Sequence, residues 1–206
     1  EIIYSDPKSP ASRITERLNK FGDTTLSDTI LGVAFNYACE GFFQVNIPVY
    51  EKALSDMRDW IDHENNLPTL DLYSGVGTIG LTIGGDDITL VEINEHAVSE
   101  MQRNITKLNQ ANAKAILAPS EKSLEYITGE QIVIVDPPRA GLHTYVVRRL
   151  LETTPPRIVY LSCNPVTQAR DVSLLQEKYH IIYHRGYNFF PRTPHVEYLV
   201  VLDKNK

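Results

Sequence analysis

The chain has 206 residues and a formal net charge of −6, with 42% hydrophobic and 22% charged residues. This length fits one domain, and the composition allows a buried core, which excludes the disordered and low-complexity classes. The acidic balance argues against nucleic-acid binding by bulk electrostatics alone. No apolar run approaches the roughly 18 residues of a membrane span, and the first residues lack a signal-peptide layout. We therefore expect a soluble, cytoplasmic protein that does not associate with a membrane.

Residues 1–45 have a mixed polar pattern and predict a lead-in with some strand character ahead of a main domain over 46–206. We expect this lead-in to be the remnant of a central domain. The sequence starts at Glu1, and we expect that an upstream domain is missing from it. In the run 49–61, apolar residues recur at helical spacing and predict an amphipathic helix.

From residue 69 onward, strand-like runs alternate with helical runs. This order predicts an α/β fold with a mostly parallel, doubly wound sheet of seven strands. The last two runs are joined by a short connection, which predicts an antiparallel edge. The predicted strands are 69–74, 88–93, 114–118, 131–138, 157–163, 181–190 and 196–202, and the predicted helices include a short one after residue 77 and those at 94–108, 143–152 and 167–178.

The cysteines and histidines give little support for a metal site. Cys39 and Cys163 are too few for a disulfide framework or a cysteine-only metal site. His180 and His184 have the i, i+4 spacing of a helix but lie in a strand-like run, so we expect no metal in this chain. A lone cysteine is usually inert packing, and we interpret Cys39 in that way.

Arginine is concentrated in the last 70 residues. Such enrichment indicates either an anionic partner or solvated arginines at the ends of helices and strands, and the sequence does not choose between them. The seven arginines are Arg139, Arg148, Arg149, Arg157, Arg170, Arg185 and Arg192.

The first predicted strand ends in a glycine loop. Gly75, Gly77 and Gly80 satisfy the pattern GxGxxG, and Glu92 lies 21 residues after Asp71 at the end of the next strand. Glycines allow close backbone approach to a ligand, and a carboxylate in that place can accept hydrogen bonds from both ribose hydroxyls. The pattern fits a dinucleotide or S-adenosylmethionine, or a purely structural turn. Asp71 just before the loop favours S-adenosylmethionine.

Three further strand ends carry candidate catalytic groups, because ligands bind beyond the carboxyl ends of such strands. In DPPRAG, two prolines hold Asp136 in a stiff loop, and Arg139 suits a phosphate or ring oxygen. Cys163 follows an apolar strand between polar neighbours and precedes a helix, a position that favours ionisation and nucleophilic attack. Glu197 lies at the edge of the last strand, as a functional carboxylate or an ordinary solvent-facing one.

Six motifs follow one another between about residues 41 and 202. They are FFQVN, DLYSGVGTIGL, VEIN, IVDPPRAG, IVYLSCNPVTQARD and FPRTPHVE. In this order and spacing they resemble the S-adenosylmethionine-dependent RNA uracil-5-methyltransferases, which make 5-methyluridine in transfer or ribosomal RNA. The resemblance implies a class I, Rossmann-like methyltransferase fold and a flipped uridine in an RNA loop as target.

The resemblance also implies residue roles. Cys163 would attack carbon 6 of the uracil as nucleophile, and Glu197 would act as general base. Gln44 and Arg139 would contact the substrate. Positions matching cofactor contacts are Gln44, Tyr73, Gly75, Thr78, Glu92, Ser120 and Asp136.

Some features depart from the family's pattern. Tyr73 and Ser74 stand where Phe and Cys are common, and Thr78 replaces a frequent Asn; we expect these changes to alter affinity rather than chemistry. Many members also have an amino-terminal RNA-binding barrel and a cysteine-ligated iron–sulfur cluster. With two cysteines here, we expect either feature only in a missing upstream domain.

Three other functions remain open. An RNA cytosine-5-methyltransferase uses the same thiol attack, but characteristically has a Pro-Cys pair at the fourth strand end, where this chain has Pro137 and Pro138. A nicotinamide-dependent dehydrogenase would explain only the glycine loop and Glu92. A non-enzymatic RNA-binding module would predict no cofactor binding and no effect of replacing Cys163.

Overall fold

The computed structural model describes residues 2–4, 16–19, 21–22, 25–38, 42–61 and 67–206. The amino-terminal part contains two antiparallel strand pairs, β1 (Ile2–Tyr4) with β2 (Glu16–Asn19) and β3 (Thr25–Ile30) with β4 (Val33–Ala38). The β3–β4 turn consists of Leu31 and Gly32, both with positive φ, as a two-residue hairpin turn of the right twist requires.

Strands and helices then alternate along the chain. In order they are α1 (Ile47–Arg58), β5 (Thr69–Leu72), α2 (Thr78–Ile83), β6 (Ile88–Glu92), α3 (Glu95–Lys107), β7 (Lys114–Leu117), 3₁₀ turns at Ser120–Lys122 and Leu124–Tyr126, β8 (Ile132–Val135), α4 (Thr144–Thr153), β9 (Arg157–Ser162), α5 (Pro165–Leu175), β10 (Tyr179–Tyr187) and β11 (Glu197–Lys204).

These strands form one seven-stranded sheet in the order β10-β11-β9-β8-β5-β6-β7. β9, β8, β5, β6 and β7 run parallel, whereas β11 is antiparallel to both β9 and β10. The α/β fold, the mostly parallel sheet and the antiparallel edge are therefore confirmed. Because β11 runs in the opposite direction, its first residue lies at the same edge of the sheet as the last residue of β9.

Helices cover both faces of the sheet, as a doubly wound fold requires. The alternation of side chains along β8 sends Ile132 and Ile134 into a core beneath α1, α2 and α3. Val133 and Val135 enter the opposite core, beneath α4 and α5. The central strands are thus buried on both faces, and their loops are the parts that remain available for binding.

The β3–β4 hairpin packs against the sheet domain. Ile30 and Phe35 are fully buried in the core on the α1 side. The Asn104 side chain on α3 donates to the Asn36 carbonyl at 3.1 Å and accepts from the Asn36 amide at 2.9 Å. A lead-in with strand character is what the sequence predicts here, and the domain boundary at 45/46 stays a prediction.

Element ends differ from the predicted ones by a few residues. The helix predicted over 49–61 spans Ile47–Arg58 and ends earlier because the chain turns there, with the Trp60 amide bonded to the Met57 carbonyl at 3.0 Å. The helix predicted over 167–178 begins at Pro165, since Asn164 caps it by accepting from the Val166 amide. Among the described helices, none is long and apolar enough to span a bilayer. Cys39 lies outside the described residues.

Candidate active site at the carboxyl ends of the strands

The loop between β5 and α2 requires unusual backbone conformations. Gly75 and Gly77 have φ of 57° and 88°, in the left-handed region that glycine adopts without strain. Tyr73 also has a positive φ, 65°, although it carries a side chain. At Gly80 a Cβ would lie 2.5 Å from Ile88 Cδ1, so only glycine lets α2 approach β6 this closely. The glycine pattern is therefore explained by turn geometry and close packing.

Glu92, the last residue of β6, organises this loop. Its Oε2 accepts from the Gly75 amide at 2.9 Å, and its Oε1 accepts from the Asn94 amide at 2.8 Å. Each oxygen has a further lone pair for another donor. The carboxylate is thus fixed in orientation while remaining able to accept from a ligand.

Asp71 lies beneath the same loop and is fully buried. Its Oδ2 accepts from the Gly80 amide at 2.9 Å, whereas no described residue donates to Oδ1. Burial raises the pKa of Asp71 to about 7; the Gly80 bond opposes this rise and the nearby charge of Glu92 adds to it.

A cleft of about 600 Å³ opens where the strands end. This volume lies within the roughly 300–1,000 Å³ of small-molecule sites. The cleft brings together nine of the ten site residues predicted from the sequence. They are Gln44, Tyr73, Gly75, Glu92, Ser120, Asp136, Arg139, Cys163 and Glu197.

Thr78 is the predicted site residue outside this cleft. It lines a neighbouring cavity of about 50 Å³, and its hydroxyl is hydrogen-bonded to the buried Tyr50 hydroxyl at 2.8 Å. The cavity shares Gln44, Tyr73 and Asp136 with the main cleft. Thr78 thus lies behind the cleft wall, and its role as a cofactor contact stays a prediction.

Cys163 directly follows β9 and precedes the Asn164 cap of α5, and it is half-buried in the cleft. Burial raises the pKa of the Cys163 thiol, and the charges of Glu197 and Asp136 raise it further, whereas Arg139 lowers it. Asn164 Nδ2 donates to the Arg139 carbonyl at 2.9 Å, which ties the loop after β8 to the loop of the thiol.

Two carboxyl groups face Cys163 across the cleft. Glu197 begins β11 and is buried, and burial raises its pKa to about 7. Burial also raises the pKa of Asp136 well above its usual value, and the charges of Glu197 and Asp71 act in the same direction. Hydrogen bonds and ion pairs to these two side chains are absent among the described residues, so both are available to a ligand.

Sequence reasoning missed part of the lining. Phe42 and Ile93 are 73% and 64% exposed, yet both line the cleft as apolar walls. The place of Ile93 in the cleft could have been predicted, because it is an apolar residue directly after the strand-end carboxylate Glu92. Pro119 and Glu121 lie in an irregular segment after β7, which has no hydrophobic periodicity that would predict their place in the cleft.

The two histidines considered for metal binding lie on the edge strand β10, away from the cleft. Both are exposed, and the His184 Nδ1 atom is 2.7 Å from the Tyr198 hydroxyl oxygen. Within the described ranges, no three His, Cys, Asp or Glu side chains are grouped to hold a metal ion.

A seven-stranded sheet of this order, with a glycine loop and a strand-end carboxylate, defines a Rossmann-like methyltransferase fold. A family model described as tRNA (uracil-5-)-methyltransferase matches residues 23–205. The chain belongs to the tRNA (uracil-5-)-methyltransferase family, as its motifs predict.

Several known proteins are similar to this chain. It is 35% identical to an uncharacterized RNA methyltransferase of Enterococcus faecalis over 89% of this chain and 42% of the relative. It is also 35% identical to one of Nanoarchaeum equitans over 94% of this chain and 43% of the relative. The chain thus spans less than half the length of these curated relatives.

Solved structures give the same relationship. The Pyrococcus abyssi tRNA (uracil-54, C5)-methyltransferase in complex with S-adenosyl-L-homocysteine superposes with a TM-score of 0.83 at 33% identity, covering 96% of this chain and 49% of that one. The Methanocaldococcus jannaschii (M. jannaschii) tRNA m1G37 methyltransferase has a TM-score of 0.67 at 18% identity over 93% of this chain and 60% of that one, and shows the shared fold alone.

Proposed function

We propose that this chain transfers a methyl group from S-adenosylmethionine to carbon 5 of a uridine in structured RNA, either transfer or ribosomal RNA. One observation carries the proposal: Cys163 and Glu197 line the same cleft as the glycine loop and Glu92. A nucleophile, a base and a nucleoside-binding loop therefore meet in one site. The family membership of the chain supports the same reaction.

The cleft has the chemistry that S-adenosylmethionine needs. Glu92 would accept from the ribose hydroxyls, and the backbone at Gly75 would approach the cofactor closely, since no side chain intervenes. Ile93 offers an apolar wall beside them. Tyr73, Ser120 and Asp136 supply polar groups around the same volume. When bound, the cofactor supplies an electrophilic methyl group.

Carbon 5 of uracil is a poor nucleophile. The proposed role of Cys163 is to raise the electron density on carbon 5. The thiolate adds to carbon 6, and the electron pair of the 5,6 double bond becomes an enolate shared by carbon 5 and the exocyclic oxygen. Carbon 5 would then bond to the methyl group as the bond between that group and the sulfonium sulfur breaks, and the sulfur would keep the electron pair as a neutral thioether. Glu197 accepts the proton from carbon 5, the double bond re-forms, and the thiolate leaves carbon 6.

The charges around the thiol fit this sequence of steps. The charge of Arg139 lowers the pKa of Cys163, so it favours the thiolate against the two carboxyl groups. The pKa of Glu197, about 7, lies near the operating pH, where a general base is most effective. Gln44 is nine-tenths buried, and its Oε1 has no described partner. We propose that it hydrogen-bonds the uracil ring.

A uridine can reach this cleft only outside its base stack. We therefore propose a flipped nucleotide of a single-stranded RNA loop as target. The exposed Phe42 side chain at the cleft wall offers an aromatic surface for an unstacked base.

Nucleoside mass spectrometry tests the proposal. Unmodified total RNA is incubated with S-adenosylmethionine and the full-length protein, with Cys163→Ala as control. We expect new 5-methyluridine with the wild type and none with the variant. A gain of 5-methylcytidine would instead identify the cytosine-5 reaction, and the absence of any methylated nucleoside would contradict both.

A further inference from the structure

Most of the arginines in the last 70 residues form ion pairs within the chain. Their partners are close: Arg157 Nε lies 2.6 Å from Asp203 Oδ1, and Arg185 Nη1 lies 2.9 Å from Asp56 Oδ2. Five of the seven form such pairs, namely Arg148 and Arg149 with Glu152, Arg157 with Asp203, Arg170 with Asp171 and Arg185 with Asp56.

Arg139 and Arg192 are the two that have no ion pair among the described residues, and both are exposed. A phosphate can bind either guanidinium without displacing an acidic partner from it. The arginine enrichment of the sequence thus reduces to two available cations.

The strand order puts these two arginines on opposite sides of Cys163. Arg139 follows β8, and Cys163 follows the neighbouring strand β9. Arg192 lies in the connection from β10 to β11, which ends at Glu197 on the far side of β9. Arg139 and Cys163 line the cleft, and Arg192 lies in a connection at the same edge of the sheet, so an RNA strand that crosses Cys163 away from Arg139 runs toward Arg192.

The connection carrying Arg192 is firmly held. Phe189 is buried, and its carbonyl accepts from Asn46 Nδ2 at 3.0 Å. Thr193 closes a turn through its amide and its hydroxyl, both of which donate to the Phe190 carbonyl, at 3.2 and 2.8 Å. Arg192 itself has φ of 67°, a left-handed conformation that is unfavourable for a residue with a side chain. The turn therefore holds the backbone of Arg192 at a defined place, from which the exposed side chain extends.

We propose that Arg192 binds a phosphate of the substrate RNA, on the side of Cys163 opposite to Arg139. This inference rests on the proposed function and adds a contact that orients the RNA strand across the cleft. The net charge of −6 repels a polyanion, so the rim of the cleft needs unpaired cations. An arginine can hold a phosphate through two parallel hydrogen bonds.

The test measures RNA binding without turnover. The full-length protein is titrated into fluorescently labelled, unmodified transfer RNA or ribosomal RNA fragment, whichever gains 5-methyluridine, with S-adenosylhomocysteine present and over a series of KCl concentrations. We expect Arg192→Ala to weaken binding about tenfold, the loss of one charge-assisted contact. The slope of log affinity against log salt should decrease in magnitude by about 0.7–0.9, as expected for one phosphate contact.

Two further variants separate the contact from general effects. Arg192→Gly removes the guanidinium and also relieves the left-handed backbone, so a loss of RNA affinity there cannot come from strain. Arg192→Lys should recover part of the affinity. Arg148→Ala is the matched control, because that arginine is 78% exposed but paired with Glu152, and it should bind RNA as the wild type does.

The outcomes are distinguishable. RNA affinity and salt slope unchanged in Arg192→Ala and Arg192→Gly, with wild-type methylation intact, would overturn this inference alone. An equal loss in Arg148→Ala would also overturn it, since the effect would then be one of net charge. If the wild type neither bound nor methylated RNA, the proposed function would fail together with the inference.

Discussion

The two walls of the cleft differ in the hydrogen bonds that the chain makes to the carboxyl groups lining them. On the wall formed by β5 and β6, Glu92 accepts hydrogen bonds from two backbone amides, and the Ser74 hydroxyl donates to the carbonyls of Asp71 and Val91. On the wall formed by β8, β9 and β11, the side chains of Asp136 and Glu197 have no hydrogen-bond partner among the described residues.

This difference indicates how the two walls work. The first is already organised and can bind a cofactor with little rearrangement, because its loop is held by the chain's own hydrogen bonds. The second keeps buried acidic groups and a thiol in protonation states that depend on what enters the cleft. We therefore expect substitutions on the first wall to affect cofactor binding and those on the second to affect chemistry.

Replacing the thiol should have the largest effect. Cys163→Ala is expected to reduce methyl transfer to background, because the variant lacks the thiol that would add to carbon 6, while the Kd for S-adenosylmethionine changes less than about twofold. Methyl transfer is measured with radiolabelled cofactor, and the Kd by isothermal titration calorimetry. Equal losses of activity and cofactor affinity would show that Cys163 is structural, and the contrast between the walls would break down.

Replacing the base should slow turnover by about 10²- to 10⁴-fold and trap the covalent RNA adduct. In Glu197→Gln the proton on carbon 5 has no acceptor, so the adduct should appear as a shifted band on denaturing gels. Full activity without any adduct would remove Glu197 from this role.

The same residue predicts the pH dependence of the wild type. A carboxyl group with a pKa of about 7 accepts protons only when ionised, so kcat should rise with pH through about 7. The raised pKa of Cys163 shifts the thiolate in the same direction, toward alkaline pH. Residual turnover of Glu197→Gln should lack the inflection near pH 7, and an unchanged inflection in that variant would assign it to another group.

On the organised wall, Glu92→Ala should raise the Kd for S-adenosylmethionine by about 10- to 100-fold, because it removes a charged acceptor of ribose hydroxyls and releases the Gly75 amide. At saturating cofactor, kcat should stay within a few-fold of the wild type. Glu95→Ala is a matched control, since Glu95 is an exposed carboxylate in the first turn of α3. A fall in kcat with unchanged Kd would reverse the roles of the two walls.

The smallest expected effect concerns stability. The folded-state pKa of Asp71 is raised from 3.8 to about 7, so between these values the folded chain holds a proton that the unfolded chain releases. The free energy of unfolding should therefore fall as pH rises across this window. In Asp71→Asn, the Tm should fall less between pH 5 and pH 8 than it does in the wild type. The difference should be a few degrees, because 1 kcal/mol corresponds to about 2–4 °C for a chain of this size. Parallel Tm curves for both proteins would contradict the buried-acid assignment.

Much of the fold could be predicted from the sequence because its signals are local. Short apolar runs between glycines and prolines gave the strands of the sheet, and the glycine pattern gave the loop after β5. Helix ends were less predictable: α5 begins two residues before the predicted start because Pro165 follows a capping asparagine. The 3₁₀ turns at 120–126, which contribute Ser120 and Glu121 to the cleft, have no periodic signal.

The sequence by itself determined the family, the mostly parallel, doubly wound sheet with its antiparallel edge, and the identity of the candidate nucleophile and base, since motifs preserve residue type and spacing. Only the tertiary structure decided which groups meet. It placed Thr78 behind the cleft wall, and it paired five of seven arginines with acids up to 129 residues away, which left Arg139 and Arg192 available. The pairs Arg157–Asp203 and Arg185–Asp56 join distant segments, whereas the pairs with Glu152 and Asp171 are local. The long-range pairs and the burial of the site arise only when the chain folds into the sheet.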